Sequence, residues 1–237
     1  MSHCGYAWTI ATHERAEMPF GFGRRQEPGD QPTEVKPTKA EVEAPGWDAI
    51  DTALAKILPG QQPLHWGTNR LPGQDGLYGL SAYRQGDHWF FVSYGLSELF
   101  AKESEDKAVS GWGFELTMRA VGADAEPPAW PRALLDRLGS VVYSSGRPFG
   151  VGHRLDAVSQ ITGGNPPTRL TCIAFTEDPK LGTIETPNGS VTFLAVVGIT
   201  PDELAEMKAS TTATVLDAMR SANPLLITSP LRNPSTR

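Results

Sequence analysis

Apolar residues recur at helical spacing just after residue 45 and at strand spacing for most of the chain beyond. Trp47, Ile50 and Leu54 share one helical face, and a Pro-Gly pair at residues 59–60 ends that helix. Strand-like runs are predicted over residues 64–67, 77–83, 88–94, 112–120, 170–175 and 190–198. A turn-like tetrad at residues 84–87 joins two of these runs, which predicts a β-hairpin.

The run at residues 112–120 alternates strictly between apolar and polar positions. Such a period of two is typical of a strand with one packed face, here carrying Trp112, Phe114 and Leu116, and one polar face. Glu115 and Arg119 lie on the polar face, four residues apart. The simpler interpretation is an ion pair exposed to water, and the sharper one is a polar platform that binds a partner.

Three further helices are predicted in the second half of the chain. One follows the Pro pair at residues 127–128 and ends at Gly146. Thr200 and Glu203 form a capping box that opens a helix over residues 201–207, and another is predicted over residues 211–220. The strand at 190–198 is apolar on both faces, which favours a central position in the sheet. Because strands come in runs, we expect an α+β fold with a mixed or mainly antiparallel sheet and flanking helices.

Composition adds a boundary and excludes several classes of function. Residues 1–45 are rich in proline and polar residues without periodicity, so we predict a disordered extension, a domain over residues 46–232 and a short tail over residues 233–237. A net charge of −6 without a basic patch argues against nucleic acid as a partner. No apolar run approaches the roughly 20 residues of a membrane helix. Two cysteines are too few for a disulfide framework and favour the cytoplasm.

Signals for catalysis and metal binding are weak. The five histidines lack metal-ligand spacing, Cys172 lies in an apolar strand, and no cofactor motif is present. Ser97 lacks the second glycine of a nucleophile elbow and resembles a helix cap. An alternative remains open, a hydrolase-like enzyme with His153, Asp156 and Glu115 in one cleft, which requires these side chains to converge.

The segment at residues 98–106 is the best candidate for a binding surface. Four acidic residues, including Glu105 and Asp106, surround Leu99 and Phe100. An acidic loop with apolar anchors suits a basic protein partner, although a solvated loop explains the same pattern.

Five motifs together resemble the suppressor of fused family. They are GWDAID at residues 46–51, WFFVSYGLSELF at 89–100, SGWGFELTMR at 110–119, PPAWP at 127–131 and TPNGSVTFLAVVGITPDEL at 186–204. The similarity runs in order over residues 45–232.

This resemblance implies a protein-binding function without a cofactor. Animal members have two domains that close on a peptide of a transcription factor, and the match covers only the first of these domains. Bacterial members have a single domain and resemble immunity proteins that neutralise toxins, so we expect a bacterial immunity-type protein that binds a basic toxin. The resemblance places Phe100 in the peptide-binding region, with Glu105 and Asp106 as local candidates. Glu115 and Arg119, named above from the alternation of their strand, are candidates for a second polar surface.

Overall fold

A mixed β-sheet with helices on both faces organises the structure, a computed structural model that describes residues 43–67 and 76–232. Within these residues the helices are α1 (Pro45–Ile57), α2 (Ala129–Ser145), α3 (Pro201–Ala209) and α4 (Thr212–Arg220). The strands are β1 (Leu64–Gly67), β2 (Gly79–Arg84), β3 (His88–Tyr94), β4 (Val109–Val121), β5 (Arg154–Asp156), β6 (Cys172–Glu177), β7 (Thr183–Thr186) and β8 (Gly189–Ile199). The disorder predicted for residues 1–45 falls, except for its last three residues, outside the described residues, as does the tail at 233–237.

The first four strands of the sheet form an antiparallel meander. The strands from the second half of the chain join this meander through one parallel pair. Its strand order is β1-β2-β3-β4-β8-β6-β5, and β7 lies beside β8. Strands β4 and β8 are parallel, whereas the other pairs are antiparallel. The prediction of an α+β fold with a mixed, mainly antiparallel sheet is therefore confirmed.

The turn, the helix end and the capping box predicted from local sequence signals are present in the structure. The tetrad at residues 84–87 closes a hairpin in which Leu80 pairs with Ser93. Helix α2 ends at Gly146, whose φ of 66° belongs to the left-handed region where glycine is favoured. The capping box is present at α3, where the Thr200 side chain accepts from the Glu203 N–H and the Glu203 carboxylate accepts from the Thr200 N–H.

Each face of the sheet has its own hydrophobic packing. On one face, α2 packs Leu135 and Leu138 against a cluster that includes Phe91, Leu116 and Phe175. The opposite face carries two clusters, one beneath α1 that includes Ile50 and Phe193, and one beneath α3 and α4 that includes Val197 and Met207. Strand β8 supplies side chains to all three clusters, so its predicted central position is confirmed.

Strand β4 is buried on both faces, and the predicted water-facing side is wrong. Glu115 is 0% exposed and Arg119 is 5% exposed. Helix α1 and the segment after β6 cover this face, because Phe90, Phe193 and their neighbours form a second hydrophobic cluster beneath them. A period of two records which residues share a face, but it does not show what covers that face.

Candidate protein-binding site

The loop between β3 and β4, residues 95–108, carries the predicted binding residues and is held from below by Glu115. The Oε1 atom of Glu115 accepts hydrogen bonds from the N–H groups of Gly95, Leu96 and Ser97 at 2.8, 3.1 and 2.9 Å. The Ser97 hydroxyl donates to the same oxygen at 2.7 Å, and the Ser93 hydroxyl donates to Oε2 at 2.6 Å. Burial raises the pKa of Glu115 to about 7, although all these donors favour the charged form.

This network gives Ser97 a structural role that the sequence did not indicate. The Ser97 hydroxyl donates its hydrogen bond to Glu115, and the residue lies in an irregular turn and not at a helix start. The interpretation of Ser97 as a helix cap is therefore wrong. The acceptor of these consecutive N–H groups is a carboxylate from a remote strand. The local sequence around Ser97 therefore gives no sign of the network.

A second carboxylate, Glu98, folds the distal part of the loop. Its Oε1 accepts from the N–H groups of Glu103 and Ser104, and the Lys102 ammonium donates to its Oε2 at 2.9 Å. Burial alone would raise the pKa of Glu98, but Lys102 and these N–H groups outweigh burial and lower the pKa to about 2. The turn is thus held by a group that stays charged at every physiological pH.

Two neighbouring elements fasten the loop to the domain. The N–H groups of Gly46 and Trp47 at the start of α1 donate to the carbonyl of Leu99 at 3.0 and 3.2 Å. The Asn188 side chain, between β7 and β8, donates to the carbonyl of Glu98 at 2.8 Å. The loop is therefore a fixed surface and not a free strap.

The structure brings three of the five predicted site residues together on this loop. Phe100 is partly exposed and packs edge-on against Tyr78, with 5.6 Å between the ring centroids. Glu105 and Asp106 are exposed, and the Asp106 carboxylate accepts from the Ala108 N–H at 2.9 Å. One partly exposed aromatic residue and two exposed acids thus lie on the same loop, and their role in binding stays a prediction.

Glu115 and Arg119 do not belong to that surface and do not pair with each other. The Arg119 guanidinium donates to both oxygens of Asp178 at 2.6 and 3.1 Å and lies 4.1 Å from the centroid of the Phe90 ring. Burial alone would raise the pKa of Asp178, but Arg119 lowers it below its ordinary value. Both predicted partner-binding residues are therefore internal, and neither side chain is accessible to a partner in this structure.

The three residues of the alternative enzyme do not converge. His153 lies opposite Phe175 on β6 and faces the α2 side of the sheet, whereas Asp156 pairs with Cys172 and projects to the opposite face. Glu115 is enclosed by the β3–β4 loop. His153 and Asp156 are also exposed. The cleft required by the hydrolase-like alternative is absent from the described residues.

Metal ligands and membrane helices were also sought in the described ranges. Residues 43–67 and 76–232 contain no group of three His, Cys, Asp or Glu side chains placed to hold a metal ion. No helix in these ranges is long and apolar enough to span a membrane.

Comparison with known proteins identifies the family and the fold. The family model described as suppressor of fused protein matches residues 73–233. The chain belongs to the suppressor of fused family. The human suppressor of fused homolog is 32% identical over 177 residues, which cover 67% of this chain and 36% of the human protein. The mouse homolog matches to the same extent. The chain thus spans about a third of the length of these curated relatives.

Solved structures of suppressor of fused proteins share this fold. The protein in the Sufu–Fu complex crystal structure aligns with a TM-score of 0.75 and 29% identity over 81% of this chain and 93% of that chain. Drosophila Suppressor of Fused aligns with a TM-score of 0.74 and 29% identity over 81% of this chain and 51% of its own. A Neisseria gonorrhoeae homolog, at 11% identity and a TM-score of 0.56, covers 81% of this chain and 97% of its own, and shows the fold alone.

Proposed function

We propose that this suppressor of fused domain is a non-enzymatic, bacterial immunity-type protein that binds a basic partner protein in the cytoplasm, a toxin, and neutralises it. The observation that carries the proposal is the β3–β4 loop, which presents Phe100, Glu105 and Asp106 on a rigid support. An aromatic anchor supplies affinity, and exposed acids raise the rate of association with a basic surface. The Sufu–Fu complex supports protein binding as the function of this fold, since it captures a relative with a protein partner.

Rigidity of the loop strengthens this proposal. A binding loop that is already ordered loses little conformational entropy when its partner docks. Glu98 and Glu115 each order a different half of the loop by internal hydrogen bonds, so Phe100 lies between two fixed turns. The exposed acids then remain free to face the partner.

The experiment is a capture of the partner by the full-length chain from cells of the source organism. The variant Phe100→Ala, Glu105→Lys, Asp106→Lys removes the anchor and reverses both charges. A matched control, Leu231→Ala, Asp124→Lys, Glu126→Lys, makes the same charge change at other exposed positions. We expect the wild type and the control to retain one basic protein in stoichiometric amount and the loop variant to lose it.

Neutralisation is tested by growth. Cells that express the captured protein alone are expected to stop growing, and co-expression of the wild-type chain is expected to restore growth whereas co-expression of the loop variant is not. Capture of the same protein by the loop variant would reject the surface. A captured protein without effect on growth would reject the immunity role and leave protein binding in place.

A further inference from the structure

A pocket of about 390 Å³ lies between α1 and strands β1, β2 and β3, next to the β3–β4 loop. We call it the Asp51 pocket; its lining includes Trp47, Asp51, His65, Ser81, Tyr83 and Tyr94. The proposed function does not use it. The remaining lining is partly aliphatic, with Leu54, Ala55 and Leu58. A mostly apolar and aromatic wall with a few convergent polar groups is the usual composition of a ligand pocket.

The aromatic walls are fixed by mutual contact. The Trp47 and Tyr94 rings stack with centroids 4.5 Å apart, and the His65 ring meets Tyr94 edge-on at 5.7 Å. The His65 Nδ1 atom lies 2.9 Å from the Ser81 hydroxyl, which orients the imidazole. Tyr83 and Tyr94 are almost fully buried at the floor of the pocket. These faces carry the negative quadrupole that attracts cations.

Asp51 gives the pocket a negative charge that no basic side chain balances. The Tyr94 hydroxyl donates to its Oδ1 at 2.9 Å, and the Trp47 side chain also hydrogen-bonds to the carboxyl group. Both donors are neutral, and among residues 43–67 and 76–232 no lysine or arginine forms an ion pair with Asp51. Burial lowers the pKa of His65, which disfavours the charged imidazole, and burial also raises the pKa of Asp51 above its ordinary value, so a bound cation would restore a partner that the carboxylate lacks.

The chemistry of the wall selects the ligand. A carboxylate or phosphate would be repelled by Asp51, and an apolar group would remove the carboxylate from water without a partner, which is costly. A cation gains from both the carboxylate and the aromatic faces. A guanidinium gains most, because it is planar, stacks on aromatic rings and can donate two parallel hydrogen bonds to one carboxylate.

The pocket adjoins the proposed binding loop through Trp47. Trp47 belongs to both, since its ring lines the pocket while its N–H donates to the Leu99 carbonyl at 3.2 Å. The loop that carries Glu105 and Asp106 is thus hydrogen-bonded to the helix residue that lines the pocket, and Asp51 follows one turn later on that helix. A basic partner that lies on the loop would present its side chains to the pocket.

We infer that the Asp51 pocket binds an arginine side chain of the partner protein, with the guanidinium paired to Asp51 and enclosed by the aromatic walls. This inference rests on the proposed function, because it assigns a second contact to the same partner. It makes the binding surface an acidic loop beside a specific pocket for one cationic side chain.

The test uses the full-length chain and a small probe, so it needs no partner. N-acetyl-arginine amide is titrated while the indole N–H signals are followed by NMR, with Trp47 assigned from the Trp47→Phe variant. We expect a saturable shift of the Trp47 signal. N-acetyl-citrulline amide has the same shape without the charge, and we expect it to bind at least tenfold more weakly.

Variants localise the site. Asp51→Asn keeps a carbonyl oxygen for the Tyr94 hydroxyl and removes only the charge, and we expect at least tenfold weaker binding of the arginine probe. Asp124→Asn removes a charge from an exposed position outside the pocket lining, and we expect less than a twofold effect. Equal binding of citrulline, equal binding by Asp51→Asn, tighter binding of N-acetyl-lysine amide, or no saturable shift would each overturn the inference.

The captured partner protein is used to decide whether the pocket binds an arginine of that partner or a free guanidinium ligand. If its arginine occupies the pocket, Asp51→Asn weakens the complex at least tenfold and Asp124→Asn does not. Binding of the probe with an unchanged complex would show a free guanidinium ligand and reject the partner contact. If the wild-type chain does not bind the probe but the loop variant still fails to capture the partner, the assignment of the pocket is rejected and the proposed function stands.

Discussion

Glu115 is bound asymmetrically, and this determines where a proton can reside. Its Oε1 accepts four hydrogen bonds from the β3–β4 loop, whereas Oε2 accepts one from the Ser93 hydroxyl. A proton on Oε2 reverses only the Ser93 bond and leaves the loop in place. The neutral acid is therefore compatible with the observed loop, in keeping with a pKa raised by burial.

The pH dependence of stability is expected to include a contribution from Glu115. Its pKa is raised from an ordinary 4.5 to about 7, so the folded state holds a proton that the unfolded chain releases between these values. Stability therefore falls as pH rises across that window, by on the order of 1 kcal/mol per pH unit. Glu115→Gln resembles the neutral acid and should remove this slope. Urea unfolding at pH 5, 6 and 7 measures it.

The control for this experiment is Glu105→Gln, an exposed glutamate on the same loop. Its unfolding curves should keep the slope of the wild type. A slope in Glu115→Gln that equals that of the wild type would show that Glu115 does not titrate in the window.

Removing one partner of the Arg119–Asp178 pair is expected to lower the free energy of unfolding strongly. Arg119→Met leaves the Asp178 carboxylate buried with Thr117 and two N–H donors but no cation. Such uncompensated burial costs about 3–5 kcal/mol of unfolding free energy. The double variant Arg119→Met, Asp178→Asn should recover part of that loss, and a double-mutant cycle by urea unfolding measures the coupling. Equal losses in the single and double variants would contradict it.

Residue positions within β4 were predictable, but their burial was not. The alternation correctly placed Glu115 and Arg119 on one face, because strand geometry is local. Their partners come from β3, the β3–β4 loop and the segment after β6, with Asp178 59 residues away from Arg119. A single sequence shows no sign of such distant coverage. The exposed acids of the loop were easier to predict, since short polar segments between strands usually face water.

Among the elements, α1 and the β3–β4 loop depend on a close backbone contact. A Cβ built on Gly46 would lie 2.1 Å from the Glu98 carbonyl oxygen. Only glycine allows the helix start to approach the loop this closely. The two hydrogen bonds from Gly46 and Trp47 to the Leu99 carbonyl require that approach.

Gly46→Ala is expected to push α1 away from the loop. The clash is with backbone, so it cannot be relieved by a side-chain rotation, and we expect a loss on the order of 1–3 kcal/mol. Hydrogen exchange should become faster both for the amides near Gly46 and for the amides of the β3–β4 loop. Gly67→Ala is the matched control, because nothing lies within 4 Å of its Cβ position. Unchanged exchange in the Gly46→Ala variant would contradict the role of this contact.

Elements with strong local signals were predicted to within a few residues. The hairpin, α2 and α3 each have a turn, a cap or a capping box that acts within a few residues. Strands β5 and β7 were missed, because they have three and four residues and depend on pairing with β6 and β8. Three or four residues rarely establish a period, and of the strands this short only β1 was predicted.

At the scale of the molecule, the domain is expected to be stable without the first 42 residues. The three described hydrophobic clusters draw their members from Trp47 onward, and the removed segment is poor in aliphatic residues. A chain that begins at residue 43 should unfold in one cooperative transition, with a midpoint within about 2 °C of the full chain by calorimetry. Loss of partner capture by this truncated chain would instead assign binding to the removed segment.

The parallel pairing of β4 with β8 has a consequence for synthesis of the protein. Strand β4 leaves the ribosome about 70 residues before β8, which corresponds to roughly 3–14 s of translation. During that interval the hydrogen-bonding edge of β4 that later receives β8 has no partner strand, and its apolar residues lack the cover that Phe193 and Leu194 later provide. Nascent chains halted between residues 121 and 189 are therefore expected to present an open sheet edge, which can pair with another chain and aggregate.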